Sequence, residues 1–248
     1  MSFFKVIIIS IWILILLPFQ VFFVLIKSKF RFFLPLIFHK FLLKVLGVKV
    51  EILGNPSDHK PLVLVGNHCS YLDIIILGSV LPACFVAKSE IKGWFVFGLL
   101  ASLQNSIFID RRNLKVFDSL NRVTQNLSAN FATIIFPEGT TNNGRKVLKF
   151  KPSLFKIFED DSTLGLQNFS LCYTHINSMP LDNRMRPFIA WYGGMSLITH
   201  LKTLLKHSSI RAKLKFHPNT TPLGMNRKNL SEESRKQVIK GINALSNI

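Results

Sequence analysis

Residues 6–26 form a stretch of 21 residues without a single charged side chain. A helix rises about 1.5 Å per residue, so this stretch is long enough to cross a hydrocarbon layer of roughly 30 Å. The alternative is a cleaved signal peptide, whose apolar region is usually only about 7–15 residues and ends at a small-residue cleavage site. Because this stretch is longer and the basic sequence KSKFR follows it, we predict a retained helical membrane anchor.

The anchor sequence is compatible with two arrangements in the bilayer. Pro18 and Gln20 interrupt the apolar stretch, and a second apolar piece at 32–38 follows the basic cluster. Both a tilted span and a re-entrant helical hairpin in one leaflet fit this pattern. We predict that residues 1–40 form the anchor and that residues 41–248 form one globular domain.

The charge balance of the chain indicates an anionic partner. Lys and Arg together number 31 against 13 Asp and Glu, which gives a formal charge of +18. Nucleic acid and an anionic lipid surface would both suit this charge. Hydrophobic residues make up 48% of the chain and include 23 phenylalanines, so we expect a membrane surface and no nucleic acid. The first 50 residues carry basic but no acidic side chains, which favours a domain on the cytoplasmic face.

After the anchor, short apolar runs alternate with helix-like segments. This alternation predicts an α/β domain with a layered mixed sheet flanked by helices. A last helix is expected to be capped by Ser231, with two glutamates in its first turn. The predicted strands are 48–53, 62–65, 84–87, 106–109, 133–136, 169–173, 188–191 and 212–216, and the earlier predicted helices are 72–80, 93–103, 114–128, 153–158 and 196–206.

The sequence GNHCSYLD at 66–73 places a histidine and an aspartate five positions apart, directly after an apolar strand. A buried carboxylate without a partner would cost several kcal/mol, and His68 is the nearest partner for Asp73. A carboxylate that orients an imidazole leaves the other ring nitrogen free to take a proton from a hydroxyl. Two alternatives stay open here: His68 as a hydrogen-bonded core residue, and Cys69 as an acyl-accepting thiolate.

Two further strands end in polar residues. SIFIDRR at 106–112 ends in Arg111 and its neighbour, and arginine is suited to phosphate. TIIFPEGT at 133–140 ends in Glu138, Gly139 and Thr140. Ligands gather at the carboxyl ends of strands in open α/β sheets, so these residues could converge. Alternatively, Arg111 is solvated or paired with Asp110, and Glu138 caps the following segment.

Cysteines and histidines show no metal-ligand spacing. Cys69, Cys84 and Cys172 are far apart in the sequence and lie in apolar or strand-like contexts. We therefore expect reduced thiols and no bound metal.

The three motifs NHxxxxD, IFIDR and FPEGT, in this order, resemble the glycerolipid acyltransferase family typified by lysophosphatidic acid acyltransferases. The resemblance runs from about residue 61 to residue 173. It implies that His68 is the general base and that Asp73 orients it. The residues that the resemblance assigns to substrate binding are Arg111, Glu138, Gly139, Thr140 and Lys88.

The resemblance also implies a reaction. A membrane-bound enzyme would move a fatty acyl group from acyl-CoA or acyl-acyl-carrier protein to the free hydroxyl of a lysolipid, in one ternary complex and without a further cofactor. The leading acceptor is lysophosphatidic acid, which would make the protein a 1-acylglycerol-3-phosphate O-acyltransferase that forms phosphatidic acid in phospholipid biosynthesis. The expected location is the bacterial inner membrane.

Two departures from the family pattern leave the acceptor open. Thr141 and Asn142 stand where the family often has RS after FPEGT, and Phe169-Ser-Leu171 lacks the usual proline. These variations resemble a bacterial branch that includes lyso-ornithine lipid acyltransferases, so the same chemistry on lyso-ornithine lipid or another lysolipid is the alternative. A non-catalytic basic protein that binds membranes or nucleic acid is a remote second class.

Overall fold

The protein folds around one mixed β-sheet. The computed structural model describes residues 2–109, 131–161, 163–222 and 224–246. The strands within these ranges are β1 (Val48–Leu53), β2 (Leu62–Gly66), β3 (Ala83–Lys88), β4 (Ile107–Ile109), β5 (Ala132–Ile135), β6 (Gly165–Ile176), β7 (Met179–Pro180) and β8 (Ile210–Thr220). The sheet order is β1-β8-β6-β2-β5-β3-β4, and β7 pairs with β6 at the side of this path.

The strands that matter for the site run in one direction. β6, β2, β5, β3 and β4 are parallel neighbours, whereas β8 is antiparallel to β6. The carboxyl ends of β2, β5, β3 and β4 therefore share one edge of the sheet. The predicted layered α/β fold with a mixed sheet is confirmed.

Helices cover both faces of the sheet. The described helices are α1 (Ser2–Leu25), α2 (Phe30–Leu46), α3 (Leu72–Val80), α4 (Phe95–Leu103), α5 (Ile157–Asp160), α6 (Leu197–Leu204) and α7 (Arg227–Ser246). In β2, Leu62 and Leu64 point into the core with α2 and α3, while Val63 and Val65 point into the core with α7. Alternating side chains that are all buried are typical of a strand covered on both faces.

The two N-terminal helices form a hairpin against the domain. α1 is long and apolar, and among the described residues it is the one helix with the length and composition to cross a membrane. α2 continues beyond residue 40 to Leu46, so the predicted boundary between anchor and domain falls inside a helix, and that division stays a prediction.

Two predicted elements differ from the structure. Residues 188–191 are not a strand: Pro187 lacks an amide hydrogen, and Ile189 and Ala190 donate to the Arg186 carbonyl, which closes a 3-10 turn at Arg186–Phe188. The last helix begins at Arg227 rather than at Ser231. The Asn226 side chain caps it by accepting from the amides of residues 228 and 229, and Ser231 lies buried inside the helix.

Other predicted helices are confirmed with changed bounds. The helix expected at 93–103 begins at Phe95 and is preceded by a 3-10 turn, Ser89–Gly93. The segment expected at 153–158 is a 3-10 turn, Pro152–Phe155, followed by α5. The helix predicted at 114–128 lies outside the described residues.

Candidate active site

The candidate site lies where β2 ends and turns into α3. Asn67 follows β2 directly, and its side chain both donates to the Leu171 carbonyl and accepts from the Leu171 amide at 2.9 Å. The side-chain amide of Asn67 thus extends the pairing of β2 with β6 past its last backbone pair, Gly66 with Phe169. This anchors the start of the loop that carries His68.

His68 and Asp73 form the pair that the sequence predicts. The Nδ1 of His68 lies 2.8 Å from Oδ2 of Asp73, and the exposed fractions of the two side chains are 15% and 1%. The distance is that of a strong hydrogen bond to a charged group. If the carboxylate accepts from Nδ1–H, the Nε2 lone pair of the imidazole is left free, and within the described residues Nε2 has no hydrogen-bond partner.

The Asp73 carboxylate is held by three further donors. Its Oδ2 accepts from the amides of Cys69 and Ser70 at 2.8 and 3.0 Å, and its Oδ1 accepts from the Tyr173 hydroxyl at 2.6 Å. Asp73 lies in the first turn of α3, where the free amides of the helix N-terminus stabilise a carboxylate. These contacts compensate for complete burial and fix the carboxylate against His68.

The imidazole plane of His68 is set by Phe136. The two rings stack with centroids 3.9 Å apart and an interplanar angle of 13°. Phe136 follows β5, the strand next to β2, and is itself buried. One ring nitrogen is therefore fixed by Asp73 and the ring plane by Phe136.

Glu138 supports the loop that carries His68 and Asp73. One carboxylate oxygen accepts from the His68 amide at 2.9 Å, and the other accepts from the Asn142 side-chain amide and from the Leu148 amide. Burial raises the pKa of Glu138 above its usual value, and the three donors act against this shift because they stabilise the carboxylate. Both oxygens are thus used inside the protein, which indicates a positioning role for Glu138.

The chain is similar to known acyltransferases. A family model described as Acyltransferase matches residues 47–164. The chain is 34% identical over 208 residues to a lyso-ornithine lipid O-acyltransferase of Brucella abortus, covering 81% of this chain and 78% of that protein. The chain belongs to the glycerolipid acyltransferase family.

Two further comparisons describe the relation of this acyltransferase to the rest of the family. A 1-acyl-sn-glycerol-3-phosphate acyltransferase of Neisseria gonorrhoeae is 34% identical over 117 residues, which is 46% of each chain. The crystal structure of the 1-acyl-sn-glycerophosphate acyltransferase of Thermotoga maritima aligns with a TM-score of 0.71 and 19% identity, and covers 98% of this chain and 95% of that chain. The fold is therefore shared along almost the whole length.

Three of the other predicted site residues of the acyltransferase lie at the same edge of the sheet. Gly139 turns the chain after Glu138 with φ +74°, and Thr140 is exposed, its hydroxyl donating to the Thr141 carbonyl. Lys88 ends β3, and its ammonium pairs with Glu90 at 2.9 Å. Arg111 lies outside the described residues. The substrate-binding roles of these four residues stay predictions.

Segment 189–191 supports the loop that carries His68 and Asp73. The sequence analysis does not predict this support. The Ser70 hydroxyl donates to the Ile189 carbonyl at 2.6 Å, and the Trp191 amide donates to the Cys69 carbonyl at 2.9 Å. Tyr173, Asn142 and this segment hold the His68–Asp73 loop from three sides. No local sequence signal points to them, because each acts through contacts distant in the chain.

Cys69 does not have the environment of a nucleophile. Burial raises the pKa of the Cys69 thiol well above its usual value, and the nearby charges of Asp73 and Glu138 raise it further. The thiol therefore stays protonated at neutral pH. This favours direct attack by the acceptor hydroxyl over a covalent acyl-cysteine. Among the described residues, no three His, Cys, Asp or Glu side chains cluster as metal ligands would.

Proposed function

We propose that this protein transfers an acyl group from an acyl thioester to the free hydroxyl of lyso-ornithine lipid at a membrane surface. The observation that carries the proposal is the buried Asp73 bonded to Nδ1 of His68, which leaves Nε2 free beside solvent. A general base needs this arrangement: a fixed tautomer, a fixed ring and an unoccupied nitrogen.

The reaction uses His68 twice. Nε2 takes the proton of the lysolipid hydroxyl as the oxygen attacks the thioester carbonyl carbon. The carbon–sulfur bond then breaks, and the imidazolium returns its proton to the departing thiolate of coenzyme A or acyl-carrier protein. Asp73 stabilises the transient imidazolium by its charge. The products are an ester and a free thiol.

Similarity supports lyso-ornithine lipid as the acceptor. The relative from Brucella abortus aligns over 81% of this chain, whereas the one from Neisseria gonorrhoeae, named for 1-acyl-sn-glycerol-3-phosphate, aligns over 46%. The longer alignment, of 208 residues, is longer than the segment 61–173 that carries the three motifs. Lysophosphatidic acid is the second candidate, and the resemblance of the three motifs to lysophosphatidic acid acyltransferases favours it.

The enzyme is proposed to rest in the cytoplasmic leaflet of the inner membrane. Lys5, near the start of α1, donates to the His207 carbonyl at 2.8 Å, and Gln20, near its end, donates to the Leu103 carbonyl at 2.6 Å. These contacts are about 22 Å apart along the helix. A helix bonded to the domain at both ends lies along it, which supports the re-entrant hairpin over a span. The exposed Phe95 of α4, next to this hairpin, adds apolar surface.

Acceptor identity is tested with membranes from a strain that expresses the protein. Each acceptor is assayed with both thioester carriers, and His68→Ala is the control for background transfer. Transfer to lyso-ornithine lipid that His68→Ala abolishes supports the proposal. Transfer only to lysophosphatidic acid, together with rescue of a conditional phosphatidic-acid-deficient strain, would replace it with the second candidate.

Membrane topology is tested separately by thiol labelling in sealed vesicles. Cysteines are introduced at Ser2 and Ser28, which flank α1, and at the exposed Ala244 of α7 as a marker for the domain, in a background without the native cysteines. A hairpin predicts that an impermeant maleimide reaches all three from one side. Labelling of Ser2→Cys and Ser28→Cys from opposite sides would establish a span.

A further inference from the structure

We infer that the loop at 141–148 forms the subsite for the anionic group of the acceptor headgroup, with Arg145 and Lys146 as its cations. The inference rests on the proposed function because it concerns the acceptor of that reaction. The inference extends the proposed function by assigning headgroup recognition to residues outside the three sequence motifs.

A cavity of about 540 Å³ lies on this loop. Five of its eight lining residues carry polar side chains, and none of the eight is acidic. The volume is sufficient for a small headgroup. The lining residues are Thr141, Asn142, Asn143, Arg145, Lys146, Leu148, Tyr192 and Gly193.

The cavity is joined directly to the catalytic histidine. The backbone amide and the side-chain amide of Asn142 both donate to the His68 carbonyl, at 3.3 and 3.2 Å. Asn142 thus lines the cavity and contacts the backbone of the general base. A headgroup in the cavity would place its lipid close to His68.

The loop is held in shape by three side chains that lie outside it. Glu138 accepts from Asn142 and from the Leu148 amide, and Arg186 donates to the Gly144 carbonyl at 3.0 Å. Arg235 of α7 donates to the carbonyls of residues 147 and 148. A preorganised loop loses little conformational entropy when a ligand binds, which is the condition for a specific subsite.

Arg145 and Lys146 carry charge that no acidic side chain in the described part of the chain neutralises. Both side chains are exposed, and neither has an acidic partner among the described residues. Their neighbours Arg186 and Arg235 bond backbone carbonyls instead. Two cations that no described acidic side chain pairs with, on a cavity lined by no acidic residue, favour an anion such as a phosphate or a carboxylate.

The acceptor supplies this anion more readily than the acyl donor. In both candidate lysolipids the phosphate or carboxylate lies within a few bonds of the reacting hydroxyl. The charged groups of acyl-CoA and acyl-acyl-carrier protein are separated from the thioester by the long pantetheine arm. A cationic cavity in contact with the backbone of His68 therefore fits the acceptor headgroup.

The test measures both binding and turnover of the variant Arg145→Gln/Lys146→Gln. Its matched control is Lys149→Gln, which removes an exposed cation directly after this loop and outside the cavity. We expect the KM for the acceptor to rise about 10-fold or more, the KM for the thioester to stay the same, and kcat to change little, because charge-assisted contacts to the headgroup are lost. An unchanged acceptor KM, or a rise in the thioester KM instead, would overturn the inference.

Binding separates this inference from the proposed function. Lysophosphatidic acid, lyso-ornithine lipid and a neutral monoacylglycerol are titrated in detergent against protein carrying His68→Ala, which cannot turn over. Preference for a lipid that carries a phosphate or carboxylate over the neutral monoacylglycerol, lost in the double variant but kept in Lys149→Gln, supports the subsite even if neither lipid is acylated. Tighter binding of lysophosphatidic acid would identify a phosphate as the ligand of the subsite, and tighter binding of lyso-ornithine lipid would identify a carboxylate. Equal binding of all three lipids would refute the subsite.

Discussion

The hydroxyl of Tyr173 donates a hydrogen bond of 2.6 Å to Oδ1 of Asp73, the carboxylate oxygen that does not face His68. Burial and the charge of Asp73 raise the pKa of the Tyr173 phenol well above its usual value, so it stays a donor at neutral pH. Tyr173 lies on β6, about one hundred positions from Asp73 in the chain. The structure thus adds a positioning residue to the catalytic pair.

Replacing Tyr173 with Phe is expected to lower kcat about 10-fold, since a hydrogen bond to a charged group contributes ~1.5–3 kcal/mol and each 1.4 kcal/mol is a factor of ten. The KM values for both substrates should stay near those of the wild type. Tyr71→Phe is the matched control, because the Tyr71 hydroxyl contacts His200 instead of Asp73. Equal activity of Tyr173→Phe and the wild type would contradict the positioning role.

Glu138→Gln tests whether this carboxylate positions the loop or binds the acceptor. The glutamine amide would face donors in place of an acceptor oxygen, which leaves buried groups unpaired and costs ~1–3 kcal/mol. We expect a lower melting temperature and a kcat reduced about 10-fold, with little change in the acceptor KM. A large rise in the acceptor KM at unchanged stability would instead support the acceptor-binding role that the family resemblance implies.

Gly139→Ala is expected to destabilise the protein. Gly139 has φ +74°, where an L-residue costs about 1–2 kcal/mol, and an added Cβ would lie 2.7 Å from Cε of Lys151. Thermal unfolding followed by circular dichroism measures the loss. Gly93→Ala is the control. A Cβ at Gly93 would have no atom within 4 Å, so this variant should unfold like the wild type. Equal melting temperatures for both variants would count against the strained turn.

His217 is expected to make stability depend on pH. Its Nε2 lies 2.8 Å from the Ser170 hydroxyl, and burial, followed by the charge of Lys215, lowers the pKa of His217 from 6.5 to about 4. The unfolded chain therefore binds a proton between pH 6.5 and about 4 that the folded protein does not. This contribution to stability is present above pH 6.5 and is lost as the pH falls through this window.

The melting temperature of His217→Gln measures this contribution. Glutamine cannot titrate, but its amide can still reach Ser170, so the variant should lose less stability than the wild type between pH 6.5 and about 4. Parallel pH profiles for the two proteins would assign the acid sensitivity to other groups.

Several features could be predicted from local sequence because their causes are local. The sequence predicts the helix Leu72–Val80 with its exact bounds, and five of the eight predicted strands match to within one residue at each end. The last helix was misplaced at its start because its polar first turn resembles a loop. The capping Asn226 carries the correct signal, since its side chain satisfies the first free amides.

The departure from the family pattern after FPEGT has a structural meaning. Asn142 stands where the family often has a serine, and its amide bridges Glu138 and the His68 carbonyl. The sequence indicates only that a cation is missing at this point. The contacts show what the replacement does.

By itself, the sequence determined the α/β class, the apolar N-terminal helix and the pairing of His68 with Asp73. Each of these depends on a hydrophobic pattern or on a short spacing, which neighbouring residues encode directly. Only the tertiary structure decided that Tyr173 completes the Asp73 shell, that Glu138 turns inward to the His68 amide and that Lys5 and Gln20 hold α1 along the domain. These contacts join residues far apart in the chain, and their geometry exists only after the strands have paired.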